Sequence, residues 1–213
     1  MNNKEYIELT KGYGVLLDRV DNEVLNELKV SVDILKNNFK TATKHNDYLV
    51  GEIEHEYRLK IGPKLKHYIA KISKKYEDKT KYASSNHAGS NLIFRDVWVN
   101  FQKKHEYNPM HHHDGVFSFV IWYQIPFTFE QENKFTYKSP KNKANHGDFM
   151  FCYPNVRGGK LLIEQLGMQI DKSQQGMMAM FPSSLNHSVN PFYSSNDYRI
   201  TIAGNIMAQS MGS

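Results

Sequence analysis

The chain has 213 residues, enough for one domain with a sizeable core. With 13% aromatic and 23% charged residues, its composition is that of a folded domain and excludes an intrinsically disordered chain. A net charge of +5, from 27 basic and 22 acidic side chains, is too small an excess to argue for a nucleic-acid partner, and the lysine-rich stretch 71–81 reads as a solvated face.

Residues 1–9 are polar and acidic and hold no secretory apolar core. A short strand is expected over 14–20. Val24, Leu25, Leu28, Val32 and Leu35 then recur at three- and four-residue spacing behind Asp21 and Asn22, good N-cap types, which predicts a first helix. Leu65, Tyr68, Ile69, Ile72 and Tyr76 repeat the spacing after Pro63, a residue suited to the first helical turn, and predict a second. Near residue 90 the pattern turns to β. Strands are expected at 92–101, 117–125, 135–137, 148–153, 160–165, 177–181 and 199–206, separated by Gly, Pro, Asn and Ser turns.

The longest apolar stretch, 116–127, is broken by Ser118 and Gln124 and is too short to span a bilayer as a helix, so no membrane association is expected. Cys152 is the only cysteine, which leaves no intramolecular disulfide and no cysteine-rich zinc site, and makes a reducing cytoplasm the simplest compartment. No repeat, low-complexity block or linker divides the chain. The expectation is one domain over 1–213: a helical buttress with a short strand over 1–90, then a jelly-roll core over 91–208 with the helices packed on one sheet. Loops 128–146 and 155–159 are expected at the mouth of the barrel, where a substrate would be read; their sequences carry no decodable signature.

Ten histidines are present, and their placement carries the chemistry. Asn108-Pro109-Met110-His111-His112-His113-Asp114-Gly115 precedes the strongest predicted strand. Alternate residues of an extended segment share a face, so His111 and His113 can converge on one metal while His112 and Asp114 point the other way. His187 follows an apolar strand far downstream, and Arg199 stands twelve positions beyond it, with Thr201 on the same strand face. Two nearby ligands plus a distant third suit a metal site with open positions, and imidazole alone does not choose among Fe, Zn, Cu and Ni. An arginine fork would hold a carboxylate of a ligand, and the Thr201 hydroxyl could share it. Each feature also has an ordinary reading, as a surface histidine run, a structural histidine or a paired arginine. Trp98 and Trp122 read as core residues.

At these residues the sequence resembles the 2-oxoglutarate/Fe(II) oxygenases of marine bacteriophage genomes and their bacterial relatives, within the prolyl-hydroxylase-like superfamily. The likeness runs through Gly51-Glu52-Ile53-Glu54-His55-Glu56-Tyr57, Trp98-Val99-Asn100-Phe101, Glu106-Tyr107-Asn108-Pro109, His111-x-His113-x-Gly115, Phe181-Pro182, Leu185, His187, and Arg199-Ile200-Thr201-Ile202-x-Gly204-Asn205. It implies a double-stranded β-helix, a cupin-like jelly roll, that hydroxylates a peptidyl or small-molecule substrate with Fe(II), 2-oxoglutarate and O2. His111 and His187 match the iron-binding histidines, and Arg199 matches the residue for the distal carboxylate of 2-oxoglutarate. For the remaining ligand the wider superfamily uses His-x-Asp, which would select His112 and Asp114, whereas this branch shows His-x-His, which selects His111 and His113. Tyr123 offers a further hydrogen bond to the cosubstrate and reads equally as a core aromatic. The alternatives are a cupin-like metalloenzyme that does not use 2-oxoglutarate, and a non-catalytic binding or structural protein of a phage with the same fold. The resemblance also implies a phage-encoded protein working in the host cytoplasm.

Overall fold

A computed structural model describes residues 5–48, 50–88, 90–135 and 145–210. In chain order the elements are β1 (Tyr6–Thr10), β2 (Tyr13–Arg19), α1 (Asn22–Asn37), β3 (Glu56–Arg58), α2 (Pro63–Thr80), α3 (Tyr82–Asn86), β4 (Ser90–Gln102), β5 (Asn108–His111), β6 (Phe117–Gln124), α4 (Phe129–Asn133), β7 (Phe149–Arg157), β8 (Lys160–Met168), β9 (Met177–Pro182), β10 (Asn186–Val189) and β11 (Arg199–Ser210). The strands form two antiparallel sheets. One has the order β1-β2-β9-β6-β11-β4-β3 and the other β5-β10-β7-β8. This is the jelly roll expected from the sequence. The N-terminal third contributes more than helices, since β1, β2 and β3 all join the larger sheet.

The larger sheet separates two apolar layers. Its outer face packs Phe117, Phe119, Ile121, Ile200 and Ile202 against Leu28, Val32, Leu65, Ile69 and Ile72 of the helices. Each such side chain, fully buried, contributes about 1.5–3 kcal/mol. The inner face packs Val120, Trp122 and Phe181 against Phe149, Phe151 and Leu185 of the smaller sheet. Strand alternation divides β6 and β11 cleanly between the two layers.

The helices are tied down by polar contacts at their ends. Asp21 has the extended backbone of an N-cap, but its side chain accepts no cap hydrogen bond. Pro63 opens α2 as predicted, and the Glu27 carboxylate of α1 accepts from the backbone N–H groups of Lys64 (3.1 Å) and Leu65 (2.9 Å), which α2 cannot satisfy itself. Tyr68 donates to Asp18 (2.7 Å), and Tyr76 donates to the carbonyl of Gly14 (2.8 Å), fixing α2 on β2.

The expected strand 135–137 has its last two residues outside the described ones, and Phe135 itself lies in a turn after α4. Residues 155–157, expected in a mouth loop, instead extend β7, leaving only Gly158 and Gly159 to turn into β8. Their φ values of 56° and 75° suit a two-residue hairpin loop that glycine makes without steric cost.

Removing the Tyr76 hydroxyl with Tyr76→Phe leaves the buried Gly14 carbonyl without that partner. Urea denaturation should show a loss of about 1–2 kcal/mol with an unchanged m value.

Candidate active site

Strands β5 and β10 are antiparallel neighbours in which His111 stands directly across from His187. The chain then bends after β5, and the His113 backbone N–H bonds to the Ser183 carbonyl (2.9 Å), bringing a third imidazole to the pair. Gly115 makes this bend possible. Its φ is +127°, and a Cβ there would lie 2.8 Å from the Ile206 carbonyl oxygen. One ligand atom each of His111, His113 and His187 falls within a mutual 4.8 Å. Ring centroids are 4.3 Å apart for His111 and His187, 5.0 Å for His111 and His113, and 5.1 Å for His113 and His187. His112 and Asp114 are exposed on the other side of the segment.

The protonation of the cluster is set by its surroundings. Nδ1 of His111 lies 2.7 Å from the Pro109 carbonyl, and Nδ1 of His187 lies 2.9 Å from the Leu185 carbonyl. A carbonyl only accepts, so Nδ1 carries the proton in both rings and Nε2 is left with its lone pair. Burial holds all three imidazoles below the ordinary histidine range, His113 to about 4 and His187 well below, with the neighbouring histidines adding to the effect. At neutral pH these are three uncharged imidazoles converging on one point, which is the donor set and protonation state that a divalent metal needs. Phe149 stacks on His187 at 9° between ring planes, and Trp98 packs edge-on to His113, which fixes the rings from behind.

The same cavity runs on to Arg199 and Thr201 of β11. Arg199 is 2% exposed. Its Nε donates to Gln102 Oε1 (2.8 Å), Nη1 to the Gly147 carbonyl (2.6 Å) and Nη2 to the Asn190 carbonyl (2.8 Å). The guanidinium carbon lies 5.9 and 5.6 Å from the ring centres of Phe127 and Phe192. Among the described residues no carboxylate comes within ion-pair distance. Glu132, which accepts from Tyr193 and Ser194 N–H, and Asp148 act only from further off. Burial pulls Arg199 down to about 9, still charged at neutral pH. A buried cation without a contacting anion, with an N–H left on each terminal nitrogen, fits the carboxylate of a ligand.

Thr201 accepts from Asn100 Nδ2 (3.1 Å) on the neighbouring strand and faces the cavity. Tyr123 does not reach the site. It alternates with Trp122 on β6, and it is Trp122 that points inward; Tyr123 packs with the helix-side layer. The core-aromatic reading holds for it, because a one-residue offset on a strand reverses the face. Trp98 and Trp122 are buried as expected, and both also line the cavity.

Gln102 and Asn108, to which the sequence alone assigns no site role, form with Asn100 a polar wall of the cavity. The available signal was polar residues at every second position of Trp98-Val99-Asn100-Phe101-Gln102, a pattern that places amides on an enclosed face. Behind this wall Glu56 sits across from Asn100 and is 2% exposed, with Oε2 accepting from Asn46 Nδ2 (3.4 Å). Burial lifts its carboxyl to about 7; Glu106 adds to this and a hydrogen bond from Asn108 opposes it.

Residues 96–205, just over half of the chain, match the family described as "Putative 2OG-Fe(II) oxygenase". The chain belongs to this family, whose members are dioxygenases that use Fe(II), 2-oxoglutarate and O2. No curated protein sequence matches it. Among solved structures it is similar to a Pseudomonas putida prolyl-4-hydroxylase, at 10% identity and TM-score 0.51, covering 94% of each chain. It is also similar to a Trichoplax adhaerens prolyl hydroxylase in complex with a hypoxia inducible factor oxygen degradation domain peptide, at 14% identity and TM-score 0.51, covering 93% of this chain and 84% of that one. A third is AviO1 of Streptomyces viridochromogenes, at 11% identity and TM-score 0.52, covering 95% and 92%. At these identities the likeness is one of fold.

Glu56 supplies a pH test of the polar wall. Between the ordinary carboxylate pKa and about 7 the folded state holds a proton that the unfolded chain releases, so this contribution to stability is lost as pH rises through about 7. Glu56→Gln removes the titration. Melting curves should show the variant gaining on the wild type, by a few degrees, as pH rises from about 4.5 to 7; a pH-independent difference would contradict the assignment.

Proposed function

We propose that His111, His113 and His187 hold Fe(II), that Arg199 and Thr201 hold the distal carboxylate of 2-oxoglutarate, and that the enzyme hydroxylates a peptidyl or small-molecule substrate. The observation that carries this reading is the shared cavity, with three metal-ready imidazoles and a buried, unpaired guanidinium on its walls. Bound there, iron, 2-oxoglutarate and dioxygen supply the redox chemistry: the cosubstrate is oxidised to succinate and carbon dioxide while one oxygen atom enters a substrate C–H bond.

The residues of this chain provide position and electrostatics. The Pro109 and Leu185 carbonyls hold His111 and His187 with Nε2 presented. Gln102 and the Gly147 and Asn190 carbonyls immobilise the guanidinium, so that no side-chain freedom is lost when an anion meets it. Three neutral imidazoles bring no negative charge, so the near carboxylate of a chelating keto acid would be the anion that answers a divalent metal there, while its distal carboxylate would answer Arg199. Phe149 and Phe181 keep that side of the cavity apolar and exclude water. A cupin-like enzyme without 2-oxoglutarate would leave the charge of Arg199 unanswered, and a non-catalytic protein would have no use for three desolvated imidazoles. The one thiol, Cys152, suits a reducing cytoplasm, which for a bacteriophage-encoded enzyme is that of its host.

The ligand assignment is tested by iron stoichiometry in anaerobic Fe(II) titrations. Wild type should bind one iron per chain. His111→Ala, His113→Ala and His187→Ala should each weaken binding by more than about tenfold, whereas His112→Ala and Asp114→Asn leave it unchanged. Full binding in His113→Ala with loss in Asp114→Asn would return the site to a His-x-Asp pair. Succinate formation from 2-oxoglutarate, dependent on Fe(II), should vanish in the same three histidine variants.

A further inference from the structure

Strand β8 is the outer strand of the smaller sheet. It bonds to β7 on one side, and among the described residues no strand covers the other. Arg157 and Lys160 flank the two-glycine turn as the first facing pair of the hairpin. From that pair the ladder alternates: Lys160, Leu162 and Glu164 spend their backbone groups on β7, while Leu161, Ile163 and Gln165 turn their N–H and C=O groups to the open edge. The side chains there are apolar and unprotected. Leu161 is 69% exposed, Ile163 68%, and Val156, directly across from Leu161, 66%. Edge strands are usually guarded by charge, proline or a bulge, and Leu161-Leu162-Ile163 has none of these.

We propose that β8 pairs antiparallel with β8 of a second copy of this chain, about a two-fold axis at Leu162, so that the smaller sheets of two molecules become one continuous sheet. The strand is self-complementary about that point. Lys160-Leu161-Leu162-Ile163-Glu164, set against itself in reverse, places Lys160 opposite Glu164, Leu161 opposite Ile163 and Leu162 opposite Leu162. The backbone parity agrees, since Leu161 and Ile163 both present free N–H and C=O groups to the edge and would form the hydrogen-bonded pair. On the outer face Leu161 and Ile163 of both copies, flanked by Val156, close into one apolar patch; on the other face two Lys–Glu pairs bracket the leucines. Glu164 is already oriented by Arg157 (2.9 Å) and by the Tyr153 hydroxyl (3.2 Å). An unrelated extended peptide could use the backbone edge, but it would not require both the charge order and the apolar order to be palindromic.

Sedimentation velocity of the full chain at high micromolar concentration tests this. Wild type should sediment as a dimer of the 24.8 kDa chain. Lys160→Glu, which sets like charges across both flanks, should raise the dimer dissociation constant about tenfold or more. The charge swap Lys160→Glu with Glu164→Lys should restore the dimer. Ile163→Asp should be monomeric with the far-UV spectrum and iron content of the wild type. A monomeric wild type, a dimer indifferent to Lys160→Glu, or a charge swap that fails to restore it would overturn the proposal, as would a monomer whose β8 edge instead binds an extended peptide.

Discussion

The pairing of β10 with β5 is the contact on which the site depends. These two four-residue strands set His187 across from His111, and each histidine takes its ring orientation from a carbonyl two residues back in its own chain. The rest of the fold serves to hold that register. β7 binds the far side of β10, placing Phe151 across from His187, and the ring of Phe149 lies flat against the imidazole. Because strand side chains alternate, a slip of one residue in β5 would replace His111 and His113 with His112 and Asp114. Which side chains meet at this point is therefore decided by register.

The far end of the cavity is organised by a different constraint, the cost of burying a charge. Arg199 is enclosed by Phe127 and Phe192 and anchored to two backbone carbonyls and one amide oxygen, all uncharged partners. Such an arrangement is expensive unless an anion completes it. The Arg199 end of the cavity thus suits a carboxylate, and the histidine end suits a metal, the two features on which the proposed cosubstrate site rests. Ser118 lies 2.7 Å from Asn205 Oδ1 and 3.0 Å from Ser183 Oγ, a buried link that ties together β6, β11 and the turn after β9.

Much of this was legible in the sequence. Helix periodicity located α1 and α2, the β-rich half announced the jelly roll, and the order of His111, His113, His187 and Arg199 singled out residues that line one cavity. What escaped were short elements that owe their shape to partners. β5 and β10 have four residues each, and Asn108-Pro109 or Asn186-His187 show no strand preference of their own. β3 is recruited by the edge of β4. Tyr123 shows the limit at a single position, since one residue decides between the cavity and the helix layer. The Gln102 contact with Arg199 joins residues 97 apart in sequence, and no local pattern encodes it.

The most direct measurement is the visible charge-transfer band of anaerobic protein with Fe(II) and 2-oxoglutarate. A band in the wild type that is lost in His187→Ala, and that needs far more 2-oxoglutarate in Arg199→Ala, is the expected result. Stoichiometric iron binding with no band at saturating 2-oxoglutarate, or a band indifferent to Arg199→Ala, would contradict the assignment of the cavity to both groups.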